Sequence, residues 1–334
     1  MTLALPTVRI NQPERSMLSR VADSTFWMAR YVERAEHVAR VTLVTSNLLM
    51  DVGELAPDLL EREWRDVLSV FHLSGELPEA DGRPISQVAQ QYMTFGQENP
   101  NSLANVIGRA RENARGVRSE ISAEMWEALN ELYWTTRGRD AQDRFEDNPE
   151  AYLKTVTRGS MLFQGLTDQT LAHDQRWLFT QAGKYLERVD VTCRVVASRF
   201  EFLKAAGSQI EPPLRNIHLM ACLRMCASIE AYRRQHLNEL DMTHVATFLL
   251  LESNHPRSVR YGIERAHEAV AAVRSRTSPR AIDPSERILG RLCTQLEYAE
   301  PREILAVGLM DYLQRITDAV SEAGLGIRDR YFPL

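Results

Sequence analysis

The stretch RYVERAEHVAR, residues 30–40, decides the fold, because it nearly recurs as KYLERVDVTCR, residues 184–194. The two copies share the pattern Tyr-x-Glu-Arg-x-acid-x-x-x-Arg, and the second begins 154 positions after the first. A second pair of segments, NPNSLANVIGRARE at 99–112 and HPRSVRYGIERAHE at 255–268, is separated by 156 positions. Two matched pairs at nearly the same separation predict an ancient internal duplication.

Helical periodicity dominates the rest of the chain, and strand signals are scarce. Glycine and proline are also sparse, at 16 and 14 of 334 residues, which favours helices. We therefore predict an all-α fold, a helical bundle of two pseudo-symmetric duplicated halves over about 19–137 and 174–298. Residues 1–16 are predicted to form a loose, disordered tail, and residues 17–334 a single helical domain.

Turn and capping signals set the predicted helix bounds. Ser102, Ser122 and Ser258 each precede a helix as a candidate N-cap. The polar segment 138–150 is predicted to separate the two halves. The predicted helices run from Ser19 or Asp23 to about 50, and then over 59–73, 85–95, 101–118, 123–137, 150–171, 174–206, 212–238, 242–252, 257–276, 284–298 and 301–323.

Composition narrows the class of protein. A formal net charge of −5 does not favour a nucleic-acid partner. The four cysteines form no CxxC pair, which is typical of reduced thiols in a cytoplasmic protein. The first 16 residues lack the basic start and apolar run of a secretory signal, and no uncharged run has the length of a membrane span. We expect a cytoplasmic protein with no membrane association.

The Glu and Arg of each repeated motif need charged partners elsewhere in the protein. Neighbouring helical residues project about 100° apart, so Glu33 and Arg34 cannot bind each other. Arg34 and Arg188 both lie on stripes that become apolar one turn later, so we predict that both are mostly buried against carboxylates. The candidate partners are Glu33, Glu187, Glu112, Glu264 and Glu268.

The acid and arginine later in each copy, Glu36–Arg40 and Asp190–Arg194, stand four residues apart. We predict that they form local, solvent-screened pairs of small energetic value.

Two interpretations of the motif residues stay open at this point. They form either an internal ion-pair network that fixes the bundle, or a polar cleft that binds an anionic or peptide-like ligand. The candidate residues for either role are Tyr31, Glu33, Arg34, His37, Tyr185, Glu187, Arg188, Glu264 and Arg265.

Two further arginine-containing segments are candidates for contact with an anion or a partner protein, since arginine suits carboxylates and phosphates. Their residues are Tyr232, Arg233, Arg234, Arg257, Ser258 and Arg260.

His218, Cys222 and Cys226 stand four residues apart, a spacing that a metal could use. Cysteines on an apolar helix are, however, typical of a core. We predict neither a metal site nor another cofactor.

The longer blocks of the sequence resemble a known bacterial family, the alpha-E domain family. MLSRVADSTFWMARYVERAEHVARV resembles its N-terminal signature, and YLERVDVTCRVV, AYRR and FLLLESNHPRSVRY resemble later blocks in the same order, from Met17 to Phe332. The resemblance implies a soluble all-α protein. It also implies genetic association with a circularly permuted ATP-grasp ligase, and often with a transglutaminase-like protein.

That association suggests two hypotheses of function. In the first, the chain is a non-catalytic helical partner of an ATP-grasp amide or peptide ligase in a peptide synthesis or modification system, and binds a peptide-like or acidic molecule. In the second, it is an enzyme in its own right that forms or cleaves an amide, with Glu33 or Glu187 as general base. The chain contains no P-loop, GxGxxG, GxSxG or HExxH motif, which favours the first hypothesis.

Overall fold

The computed structural model describes residues 19–52, 57–73, 77–206, 211–237, 240–277, 283–302, 304 and 308–333. These residues form fourteen helices and no strand, which confirms the all-α prediction for the described part of the chain. The helices are α1 Ser19–Val52, α2 Pro57–Val70, α3 Ile85–Phe95, α4 Leu103–Gly116, α5 Ala123–Arg137, α6 Ala141–Asp147, α7 Pro149–Thr170, α8 Gln175–Ala206, α9 Pro212–Met225, α10 Ile229–His236, α11 Met242–Leu251, α12 Val259–Thr277, α13 Pro284–Glu297 and α14 Leu309–Tyr331.

The three predicted N-caps are confirmed. The Ser122 hydroxyl accepts a hydrogen bond from the Met125 N–H at 3.1 Å. Ser102 and Ser258 cap α4 and α12 in the same way, through the N–H groups three residues later. Capping satisfies backbone donors that the first helical turn leaves unpaired, so these helix starts can be read from local sequence.

The single helix predicted over 212–238 was wrong. Residues 212–238 form two helices, because Ala227 has a left-handed backbone (φ 52°) and the Ser228 N–H bonds back to the Leu223 carbonyl at 2.7 Å. Segment 138–150, predicted to separate the two halves, contains α6, whose Phe145 packs in the core 5.4 Å from Phe95, and its role as a boundary stays a prediction.

The last predicted helix, 301–323, is interrupted. Residues 301, 302 and 304 are helical, but Gly308 has a left-handed backbone (φ 96°), and α14 then runs from Leu309 to Tyr331. The Phe332 ring that follows it lies 5.5 Å from both Phe26 and Phe179. Burial of this aromatic residue explains why the chain stays ordered beyond the predicted end.

The two longest helices, α1 and α8, pack against each other through the centre of the molecule. Helices α4 and α7 flank α1, and α12 and α14 flank α8. A Cβ atom at Gly183 would clash with the Phe26 carbonyl, so glycine allows the close approach of α1 and α8. This contact brings the two copies of the motif together.

The matched segments also occupy matched places, since α4 packs on α1 and α12 packs on α8. Superposition of the halves stays a prediction. The predicted tail, residues 1–16, lies outside the described residues. None of the helices described above has the length and apolar character needed to cross a bilayer.

Candidate functional site

The two Glu-Arg motifs bind each other where α1 meets α8. The Arg188 guanidinium donates from Nε to Glu33 Oε1 at 2.6 Å and from Nη2 to Glu33 Oε2 at 2.9 Å. In return, Arg34 donates from Nε to Glu187 Oε1 at 2.5 Å and from Nη2 to Oε2 at 3.0 Å. Each glutamate is therefore held in a two-bond fork by the arginine of the other copy.

One fork lies in a buried group that we call the Glu33 cluster. Arg257 Nη1 donates to Glu36 Oε2 at 2.9 Å and to Glu33 Oε1 at 3.2 Å. His37 Nε2 lies 3.3 Å from Glu33 Oε1, and the Gln164 side-chain amide donates to Glu33 Oε2. The Glu33 cluster consists of Glu33, Glu36, His37, Gln164, Arg188 and Arg257.

The other fork lies in the Glu187 cluster, which consists of Glu187, Arg30, Arg34 and Asn101. Arg30 Nε donates to Glu187 Oε2 at 2.8 Å. Arg34 Nη1 donates to Asn101 Oδ1 at 2.9 Å, and the Asn101 amide donates to the Phe71 carbonyl at 2.7 Å. The Arg34 side chain is 20% exposed, so this cluster reaches the solvent.

Arg34 and Arg188 are therefore both mostly buried, with side chains 20% and 6% exposed, and each contacts a carboxylate as predicted.

Charge neutralisation keeps the buried carboxylates ionised. Burial alone would raise the pKa of Glu33, but the charges of Arg188 and Arg257 outweigh it and hold the pKa well below its usual range. The same balance, with Arg257 and Arg40 as the cations, lowers the pKa of Glu36 to about 2. A carboxylate with so low a pKa and with arginines on its oxygens is a weak general base at neutral pH.

The Glu187 carboxyl is governed by the same forces. Burial raises its pKa, while the charges of Arg34 and Arg30 lower it far more. Both motif glutamates are therefore ionised throughout the physiological range. Their geometry matches the ion-pair interpretation of the sequence.

The prediction of solvent-screened local pairs was wrong. Arg40 does bind Glu36 (Nε to Oε1, 2.7 Å), and Arg194 binds Asp190, but both acidic side chains are buried. The reason is the three-residue spacing from each motif glutamate, which turns Glu36 and Asp190 to the same inward face. That spacing was a signal available in the sequence.

Three other predicted carboxylate partners bind elsewhere. Glu264 accepts from Arg260 at 2.9 Å, and Arg265 lies 2.6 Å from Glu268. Glu112 lies 2.5 Å from Arg115 on its own helix. Each is paired with an arginine three or four residues away, a local geometry that a helix always offers. Neither Glu264 nor Arg265 joins the two clusters.

The two motif tyrosines lie beside the forks. The Arg34 guanidinium lies 5.9 Å from the Tyr31 ring centroid, and the Arg188 guanidinium lies 5.2 Å from that of Tyr185. These are cation–π distances, so each tyrosine adds to the environment of its own motif arginine.

The residues predicted to contact an anion or a partner protein do not form one site. Arg257 is not on a surface, because its side chain turns inward to Glu33 and Glu36. Tyr232 is buried against His236, with ring centroids 4.5 Å apart. Arg233 and Arg234 are exposed on α10, while Arg260 binds Glu264 and Ser258 caps α12.

A possible metal-ligand group exists among the described residues, though not the one considered from the sequence. Atoms of Glu33, Glu36 and His37 lie within 4.8 Å of one another. Arg257 already supplies positive charge between the two carboxylates, so a cation would have to displace it. His218 instead faces Glu63 at 3.7 Å.

The crossed forks give a physical meaning to a known motif. Residues 17–332 match a family model described as a predicted alpha-helical domain with a conserved ER motif. The chain belongs to the Alpha-E family. In this Alpha-E chain, the Glu and Arg of one motif are binding partners of the Arg and Glu of its repeat.

Relatives of this Alpha-E chain include uncharacterized proteins of Mycobacterium bovis and Mycobacterium tuberculosis. Each is 23% identical over 327 residues, which cover 93% of this chain and 36% of the relative. The chain therefore spans little more than a third of the length of the curated relatives that it matches. No solved structure gives a significant match.

Proposed function

We propose that this Alpha-E chain is a non-catalytic helical partner of an ATP-grasp amide or peptide ligase in the cytoplasm. The observation that carries the proposal is the pair of crossed forks, in which both motif glutamates bind arginine through both oxygens. Side chains engaged in this way hold α1 against α8. They favour a scaffold that presents its outer helices to another protein.

The alternative, an amide-forming or amide-cleaving enzyme, needs Glu33 or Glu187 to accept a proton. Both have a pKa held below the usual range by arginines, so protonation at neutral pH would break an ion pair first. The partner role needs no such step, and for that reason it is the better-supported function.

The family resemblance supplies the type of partner. The sequence blocks resemble a family whose members accompany ATP-grasp ligases and, often, transglutaminase-like proteins. In the mycobacterial relatives the matched region is 36% of the protein, so an Alpha-E region is joined there to other sequence. That arrangement is expected of a region that works beside other proteins or domains.

The proposal is tested by purifying the chain alone and together with the ATP-grasp protein encoded beside it. We expect a stable complex at micromolar concentration and ATP-dependent amide formation that needs the ligase. Turnover by the isolated Alpha-E chain, or no association between the two proteins, would contradict the partner role.

Exposed arginines on α10 are the proposed contact with the ligase. The double variant Arg233→Glu/Arg234→Glu should weaken the complex by reversing the charge of that surface. Arg65→Glu, at an exposed pair on α2, is the matched control and should leave binding unchanged. Equal loss of binding in both variants would argue against a specific contact at α10.

A further inference from the structure

A polar cavity lies beside Tyr31, outside the two ion-pair clusters. It is open to the solvent and is bordered by α1, α4, α5 and the connection between α3 and α4, with a volume of about 680 Å³. This volume falls within the range of cavities that bind small molecules. Its walls include Tyr31, Glu98, Asn105, Arg109, Tyr133 and Arg137.

Two arginines in this cavity lack a carboxylate. Arg109 has no ion pair within the described part of the chain, and its guanidinium lies 6.0 Å from the Tyr31 ring centroid. Arg137 donates to neutral acceptors, the Ala104 carbonyl at 3.1 Å and Asn105 Oδ1 at 2.7 Å. The cavity therefore contains two positive charges that no neighbouring acid neutralises.

The acidic residues of the cavity differ from each other. Glu112 is already paired with Arg115 at 2.5 Å. Glu98 has no ion-pair partner among the residues that the structure describes. The uncompensated charges are thus two positive and one negative. A ligand of complementary charge carries two carboxylates and one ammonium group.

Larger side chains occupy the aligned positions in the second half of the chain. Asn105 and Gly108 align with Tyr261 and Glu264 in the repeated segment. The Tyr261 ring packs against Tyr185, with centroids 6.0 Å apart, and Glu264 binds Arg260. The smaller residues of the first half leave the equivalent space beside Tyr31 open.

Gly108 has no packing reason to be glycine. A Cβ atom there would lie 3.6 Å from Arg137 Nε, an ordinary contact, and glycine inside a helix costs about 1 kcal/mol relative to alanine. Its effect is to keep the side of α4 that faces Arg137 free of side-chain atoms.

We propose that this cavity binds a small acidic amino acid or short acidic peptide, with its carboxylates on Arg109 and Arg137 and its ammonium group on Glu98. Tyr31 and Tyr133 provide aromatic walls for the ligand's carbon atoms. The inference goes beyond the partner role, because binding by the isolated chain requires no ligase.

Isothermal titration calorimetry on the full chain tests the proposal with three probes: free glutamate, alanyl-glutamate and N-acetyl-alanyl-glutamate. We expect at least one of the first two to bind in the millimolar range or tighter, and the pair distinguishes a free amino acid from a peptide. Acetylation removes the ammonium group, so the third probe should bind roughly tenfold more weakly than alanyl-glutamate.

Variants then locate the site. Arg109→Ala should weaken binding roughly tenfold or more, since it removes one charged contact. Gly108→Leu should do the same by filling the cavity without changing charge. Arg65→Ala is the control, because Arg65 pairs with Glu61 on α2 and neither residue lines the cavity. Thermal melts establish that each variant is folded.

Three results would overturn the proposal. The first is no heat of binding with either free glutamate or alanyl-glutamate. The second is an affinity that is unchanged in both Arg109→Ala and Gly108→Leu. The third is equal affinity for alanyl-glutamate and its acetylated form, which would show that Glu98 does not bind the ammonium group.

Discussion

The Glu33 and Glu187 clusters contain the same crossed fork but differ in how they are closed. In the Glu33 cluster the Arg188 and Arg257 side chains are 6% and 9% exposed. In the Glu187 cluster the Arg30 and Arg34 side chains are 15% and 20% exposed. The difference shows that the repeated motif determines which residues pair, while residues outside the motif determine how far each ion pair is shielded from solvent.

One aligned position accounts for much of this difference. Arg257 aligns with Asn101, so a cation closes one cluster and a neutral amide closes the other. The cation is needed where Glu36 adds a second buried carboxylate that reaches Arg257. The shorter Asp190, at the aligned position, binds Arg194 on its own helix instead.

The largest expected effect is from Arg188→Ala. Removing one partner of a buried pair leaves an uncompensated charge, so we expect the free energy of unfolding to fall by about 4 kcal/mol. Urea denaturation at neutral pH measures it. If Arg188→Ala lowered the free energy of unfolding no more than Arg34→Ala does, the difference in burial between the two clusters would have no effect on stability.

Acid should act next most strongly, through Glu36. Its folded pKa of about 2 lies below its usual 4.5, so its stabilising effect is complete above pH 4.5 and is lost as the pH falls towards 2. The shift corresponds to about 3 kcal/mol. As the pH falls through this range, the urea denaturation midpoint should fall less steeply for Glu36→Gln than for the unmodified protein. Parallel curves for the two proteins would show that Glu36 is not the group responsible.

Arg34→Ala should cost about 2 kcal/mol, because Arg30 still pairs with Glu187 and solvent reaches the cluster. The same urea series measures it. Arg65→Ala is the matched control, since Arg65 and Glu61 form an exposed pair whose loss should cost less than about 0.5 kcal/mol. A loss for Arg34→Ala as small as the control's would show that the open fork adds nothing to stability.

The smallest effect at pH 7 is expected from substitution of Lys184, which aligns with Arg30 yet has no glutamate fork. Burial lowers its pKa to about 8, and Asp168, 3.9 Å away, only partly opposes this. Because the unfolded chain binds this proton up to a higher pH, stability should rise between pH 8 and 10.5.

Lys184→Met should remove that rise and stabilise the protein at pH 7 by about 1 kcal/mol. Lys154→Met, at an exposed position, is the control. Thermal melts at pH 7 and pH 10 compare the two variants, and an unchanged pH profile in Lys184→Met would assign the rise to another group.

Local signals in the sequence predicted most of the fold. The bounds of α5 were predicted as found, because the N-cap Ser122 directly precedes the helix and Gly138 directly follows it. The break at Ala227 was missed, since no glycine marks its left-handed backbone. Local sequence describes a helix end only where a residue type is specific for it.

The site was predictable only in its general form. Arginine on an apolar stripe predicted a buried carboxylate partner, and both arginines have one. Which carboxylate it is depends on the crossing of α1 and α8, which spacing along one helix does not contain. Arg257 was misplaced for the same reason, although its alignment with Asn101 marked a difference between the copies.

The crossed forks join residues 153 and 155 positions apart in the chain. During translation, at about 5–20 residues per second, Glu33 must wait roughly 8–30 s for Arg188 to be made. Contacts at such separation also close slowly once both ends exist. A nascent chain that stops before α8 therefore contains Glu33 without Arg188 and Arg257, and Glu36 with only Arg40 to neutralise it.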